Sequence, residues 1–124
     1  MIRSVARAAL LSLAFAPGAA AEDGAALFEP CRACHSLDPS AKSMAGPNLA
    51  GLLGRNVAGD PNFDYSPVLQ AVRDGGRVWT RELLEQFLAD PEAMFPAMWM
   101  SAQGIRNADD RKALAAFIAD PASR

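Results

Sequence analysis

The chain has 124 residues, with 12 Lys and Arg against 14 Asp and Glu, one histidine and two cysteines. A formal charge of −2 without a basic run gives no electrostatic footprint for nucleic acid. The length suits one small domain, and no apolar stretch reaches the roughly 20 residues that a membrane-spanning helix needs.

Residues 1–7 hold Arg3 and Arg7 and no acid; Ala8–Ala16 is apolar, Pro17-Gly18 breaks the run, and Ala19-Ala20-Ala21 supplies small residues at alternate positions. That order is the pattern of a secretory signal peptide, predicted to be cleaved after Ala21. The mature chain is then a single domain over residues 22–124, soluble and carrying a formal charge of −4 once Arg3 and Arg7 are removed.

Along this domain the pattern predicts an all-α fold of four to five short helices joined by long Gly/Pro-rich loops, with no alternating β-branched run. A first helix is expected over Asp23–Cys34, with Leu27 and Phe28 inward and with Pro30 bending or weakening its last turns. Residues 36–62 carry Pro39, Gly46-Pro47, Gly51, Gly54, Gly59 and Pro61 and read as loop. Ser66-Pro67 opens a short helix that Gly75-Gly76 closes. Thr80 opens another, with Glu82 near its positive end and Leu83, Leu84, Phe87 and Leu88 as the inner stripe, and Asp90-Pro91 ends it. Asn107 caps a last helix whose inner face is Leu114, Phe117 and Ile118, before Pro121.

The chemistry concentrates in Cys31-Arg32-Ala33-Cys34-His35. On a helical turn, positions i, i+3 and i+4 share one side, so two thiols can add to the two vinyl groups of one haem while the next imidazole is carried under the iron. A structural zinc site wants four Cys or His ligands and the mature chain has three. A thioredoxin-like pair needs a βαβ setting, and a plain disulfide leaves the adjacent, unique histidine unexplained. With His35 on one side of the iron, no second histidine exists for the other. A six-coordinate site must then use a methionine or, as a second choice, a lysine. The mature methionines are Met44, Met94, Met98 and Met100, and elimination does not choose among them.

Further pieces match a family. Gly46-Pro47-Asn48-Leu49, Gly51-Leu52-Leu53-Gly54-Arg55, Phe63-Asp64-Tyr65-Ser66, Val78-Trp79-Thr80, Asp90-Pro91, Pro96-Ala97-Met98-Trp99-Met100 and Gly104-Ile105 follow the attachment motif in order. With that motif they make the mature chain resemble the class I c-type cytochromes, the group of mitochondrial cytochrome c and its bacterial relatives, along nearly its whole length. The resemblance implies one haem c held through Cys31 and Cys34, with His35 and Met100 as iron ligands and the Pro47 carbonyl accepting the His35 Nδ1 proton. It also implies that Arg55, Tyr65 and Trp79 donate to a buried haem propionate, which needs such partners.

The resemblance further implies a monomeric, periplasmic carrier that shuttles single electrons between redox protein partners and is not an enzyme. The alternative is a haem protein with a labile methionine that binds a small gas or acts as a peroxidase. Three departures stand out. The segment around Arg73-Asp74-Gly75-Gly76 is longer than in the mitochondrial protein. The family's tyrosine before the methionine loop is Phe87, and its threonine two residues before the ligand is Met98. The lysine ring of mitochondrial cytochromes is also missing, which leaves a docking face built on Arg32, Arg77 and Arg106, or an apolar one around Trp99 and Ala102.

Overall fold

The computed structural model describes residues 23–122, so the expected signal peptide, residues 1–21, lies outside the described residues. Among these, all regular structure is helical apart from one isolated antiparallel bridge, Asn56 to Val78. Helix α1 is Gly24–Phe28, α2 is Pro67–Asp74, α3 is Arg81–Ala89, α4 is Pro91–Met94 and α5 is Ala108–Ala119.

The expected helix over Asp23–Cys34 is two elements. Asp23 caps α1 by accepting from the Ala25 amide at 3.0 Å, and the Glu29 N–H then bonds the Ala26 carbonyl, an i to i−3 step that begins a 3-10 helix over Glu29–Ala33. Pro30 explains the change: it has no N–H for an α-helical bond, and the tighter helix accepts it in its first turn. Pro30 therefore re-pitches the chain just before the cysteines.

The other caps behave as expected with one exception. The Thr80 hydroxyl accepts from Leu83 N at 3.1 Å, and Asn107 accepts from the Asp109 and Asp110 amides at 2.8 and 3.1 Å. Ser66 occupies the position before Pro67, yet its hydroxyl makes no capping bond and is buried. Asp90 ends α3 and also opens α4, where it accepts from Ala93 N at 3.0 Å. Asp-Pro-Glu is a helix-start pattern in its own right, so the sequence did signal α4.

Helices α1 and α5 pack against each other, and α3 packs on α5. Gly24 allows the first crossing, because a Cβ there would overlap the Ala113 carbonyl and the Phe117 Cβ. The Phe28 and Phe117 rings meet across it at 5.8 Å. Buried Phe28, Leu52, Val57, Leu83, Leu84, Phe95, Met98, Leu114 and Ile118 continue this core. At about 0.8 kcal/mol per buried methylene, these side chains hold α1, α3 and α5 together with the loop residues Leu52, Val57, Phe95 and Met98. The loop over 36–62 then wraps this frame.

Candidate functional site

The 3-10 helix delivers the two cysteines to one place. Cys31 is half-buried and Cys34 is exposed, and both thiols are free. Its final turn is closed by Cys34 N to the Cys31 carbonyl at 3.1 Å and His35 N to the same carbonyl at 2.9 Å. Burial pushes the Cys31 thiol up, and the neighbouring Cys34 adds to the rise.

His35 is 9% exposed, and its ring is fixed by the next segment of chain. Its Nδ1 lies 2.7 Å from the Pro47 carbonyl, which selects the tautomer with the proton on Nδ1 and leaves the Nε2 lone pair free. Two backbone bonds hold that segment alongside: Gly46 N to Cys34 O and Leu49 N to Ser36 O, both 2.9 Å. Gly46 sits so close to the imidazole that a Cβ would come within 2.9 Å of Nε2 and closer still to other ring atoms.

Arg55 and Trp79 are brought together by backbone pairing, since Trp79 N bonds Arg55 O at 2.9 Å and Gly54 N bonds Trp79 O at 2.8 Å. The Arg55 guanidinium donates to the Asn48 carbonyl at 2.8 Å, while its buried Nε has no partner. Tyr65 is buried, and its hydroxyl accepts from Asp60 N at 3.2 Å, which leaves its own proton to donate. Burial raises the Tyr65 phenol, partly offset by that amide and by the charge of Arg55. Ser66 Oγ is the second buried polar atom without a partner.

Asp60 was not singled out by the sequence. Its carboxylate is buried and accepts from Ser43 Oγ at 2.6 Å, Asn62 N at 2.9 Å and Asn48 N at 3.2 Å. Burial pushes this group up, but the hydrogen bonds and the Arg55 charge outweigh it and hold the carboxyl below its usual range. Asn48 adds a second staple, donating to the Asp38 and Ala41 carbonyls at 2.7 and 2.9 Å. A cavity of about 710 Å³ opens here, lined by Lys42, Ser43, Asn48, Arg55 and Asp60 among others, and the thiols, His35 and Met100 do not line it.

Of the methionines, Met98 is buried in the core, Met44 is 49% exposed, and Met94 and Met100 are partly buried against the core. Phe87 packs edge-on to Trp79 at 5.3 Å and against Phe95 at 5.9 Å. Of the arginines expected at a docking face, Arg32 pairs with Glu29 at 2.7 Å and lies over the Phe28 ring, and Arg77 lies over Phe95. Trp99 is 68% exposed.

Free thiols at i and i+3, an adjacent imidazole with an available Nε2, and an unpartnered buried guanidinium nitrogen fit a covalently attached haem with an anionic edge. A domain of this fold and donor set is a c-type cytochrome, and comparison with known proteins agrees. No protein-family model matches the chain. It is 36% identical over 100 residues to a cytochrome c2 of Agrobacterium tumefaciens, covering 81% of this chain and 90% of that protein. It is 40% identical over 101 residues to the cytochrome c-550 of Ancylobacter novellus, covering 78% and 94%. The solved cytochrome c2 of Rhodospirillum centenum superposes with a TM-score of 0.71 at 29% identity, covering 77% of this chain and 92% of that one. The chain belongs to the class I c-type cytochromes, small all-α proteins that carry one covalent haem c and transfer electrons.

Proposed function

We propose that the protein is a monomeric periplasmic one-electron carrier whose haem is joined to Cys31 and Cys34 and ligated by His35 and Met100. The observation that carries this reading is the His35 Nδ1 to Pro47 carbonyl bond, which aims a fixed, basic Nε2 from the residue next to the two thiols. When bound, the haem iron supplies the one-electron couple.

The chain's own residues set the terms of that couple. The Pro47 carbonyl would strengthen His35 as a donor to the iron, and a Met100 thioether bound to it would favour the reduced state. Resemblance to the family, whose ligand stands four residues after a proline, selects Met100. Burial agrees to the extent that Met98 is committed to the core and Met44 faces solvent, while Met94 and Met100 are both partly buried. Arg55 Nε and Ser66 Oγ, both buried without partners, and the free proton of the Tyr65 hydroxyl suit a propionate carboxylate. Asp60 fixes the loop that carries Asn48 and Arg55's carbonyl acceptor, so the guanidinium is positioned before any propionate arrives.

The peroxidase alternative finds little support. Residues 93–105, which surround Met100, contain no titratable side chain, and the chain has no second histidine. No helix among the described residues is long and apolar enough to cross a membrane. The same uncharged stretch, with Trp99 at its centre, suits brief docking of a redox protein through a small apolar face.

The test is the ferric visible spectrum. Wild-type protein is expected to show the weak sulfur-to-iron absorption near the red edge, and Met100→Ala is expected to lose it while keeping the covalent haem. Loss of that band in Met98→Ala, with Met100→Ala unchanged, would overturn the ligand assignment.

A further inference from the structure

The methionine loop turns on a residue that is not glycine. Ala97 takes φ +65°, the left-handed region where a Cβ is unfavourable. Met98 N bonds the Phe95 carbonyl at 3.2 Å across it, so Pro96 and Ala97 are the central residues of a β-turn. Proline at the second position and positive φ at the third define type II, which favours glycine at the residue that is Ala97 here. A strained residue of this kind persists only where its surroundings over-determine it.

Two features do so. Phe95 and Met98, on either side of the turn, are buried in the core. The Ala97 N–H, which faces out, donates to Glu92 Oε1 at 3.0 Å. Glu92 stands in the first turn of α4, is exposed, and takes part in none of the ion pairs found among the described residues. A charged acceptor makes a stronger bond to a backbone N–H than water does. It also bonds the one amide whose orientation is set by the left-handed backbone.

We propose that Glu92 is a positioning residue for Met100. Its carboxylate holds the Ala97 amide and so keeps the strained turn closed, three residues before the sulfur. If the brace is removed, Ala97 relaxes toward negative φ, and Trp99 and Met100 swing with it. The role rests on Met100 being the ligand. It concerns the lifetime of that ligation, not its identity.

Imidazole, added to the ferric holoprotein at fixed pH, competes for the site that Met100 fills, and loss of the sulfur-to-iron absorption reports its binding. Glu92→Ala removes one charged hydrogen bond from the closed turn and is expected to tighten imidazole binding about fivefold. Glu92→Gln keeps an amide oxygen for the same N–H and should stay within about twofold of wild type. Ala97→Gly relieves the left-handed Cβ and should weaken imidazole binding about threefold, and in the Glu92→Ala background it should recover most of the lost resistance.

A merely structural Glu92 would lower the guanidinium unfolding midpoint and leave imidazole affinity at its wild-type value, which overturns the proposal. So does a Glu92→Gln effect as large as that of Glu92→Ala, since charge alone would then be responsible. Met100→Ala is the control that separates the two readings. If it keeps the absorption, the ligand assignment fails along with the brace. If it loses the absorption while Glu92→Ala leaves imidazole affinity unchanged, only the brace fails.

Discussion

Gly46 lies against the ring of His35, and Gly46→Ala puts a methyl group where the imidazole already is. The added Cβ would meet Nδ1 at 2.8 Å and Nε2 at 2.9 Å, contacts that ordinary packing does not contain. Either the ring or the 44–49 segment must move, and both movements lengthen the His35 to Pro47 bond of 2.7 Å. Overpacking of this kind costs about 1–3 kcal/mol, and losing a neutral hydrogen bond adds about 1 kcal/mol. Against that, alanine restricts the unfolded chain and returns about 0.4–1 kcal/mol. The net is about 2 kcal/mol, which in a domain of this size lowers Tm by roughly 10 °C. Thermal unfolding of the ferric holoprotein, followed by far-ultraviolet circular dichroism, measures it directly. The reduction potential should also fall or broaden, because the ring loses its fixed orientation. A Gly46→Ala protein with wild-type Tm and potential would refute the close packing of the 44–49 loop on the imidazole.

Asp60 titrates lower in the folded protein than in the unfolded chain, so its stabilising contribution is present above the ordinary carboxylate range near pH 4 and is lost as pH falls below it. Asp60→Asn should therefore be less stable than wild type at neutral pH and should lose less stability on acidification; parallel acid-unfolding curves would count against the network. For docking, the uncharged 93–105 stretch and the internally engaged Arg32 predict a weak salt response. The rate of electron exchange with a physiological redox partner should change by less than about threefold between low and physiological ionic strength, and a steep fall would point to a charged face instead.

The attachment motif could be read without a structure because its chemistry is local: five consecutive residues place two thiols and an imidazole by helical periodicity alone. The capping roles of Thr80 and Asn107 were legible for the same reason, since a cap bonds amides two or three residues away. Asp90, by contrast, was read only as a helix end, and its capping of α4 was not expected. What escaped the sequence depends on segments far apart in the chain. Asp60 is an ordinary loop acid until the fold brings Ser43 and Asn48 onto its oxygens. Gly46 reads as a flexible loop residue until the 44–49 segment folds back along Cys34–Ser36 and presses it on the ring. Pro30 lies between these cases: the disruption was foreseeable, but its resolution into a 3-10 helix that still delivers both cysteines was not. Ser66 shows the reverse error, a good capping residue by type whose hydroxyl makes no capping bond and is buried without a partner.

The methionine side follows from the same contrast. By resemblance to the family, tyrosine and threonine hydroxyls would stand where this chain has Phe87 and Met98, and their loss suggests a looser crevice. The structure replaces them with packing. Phe87 is wedged between Trp79 and Phe95, and Met98 is 7% exposed within the core, so both substituted side chains add apolar contact on the inner side of the loop. Apolar packing beside a bound haem would disfavour the extra positive charge of ferric iron, the same direction in which the proposed thioether ligation would act. Packing, however, secures only the inward side of the turn. The outward side has a left-handed alanine and no hydroxyl to tie it. There Glu92, on the solvent side of the Ala97 amide, holds the turn that the apolar core cannot reach.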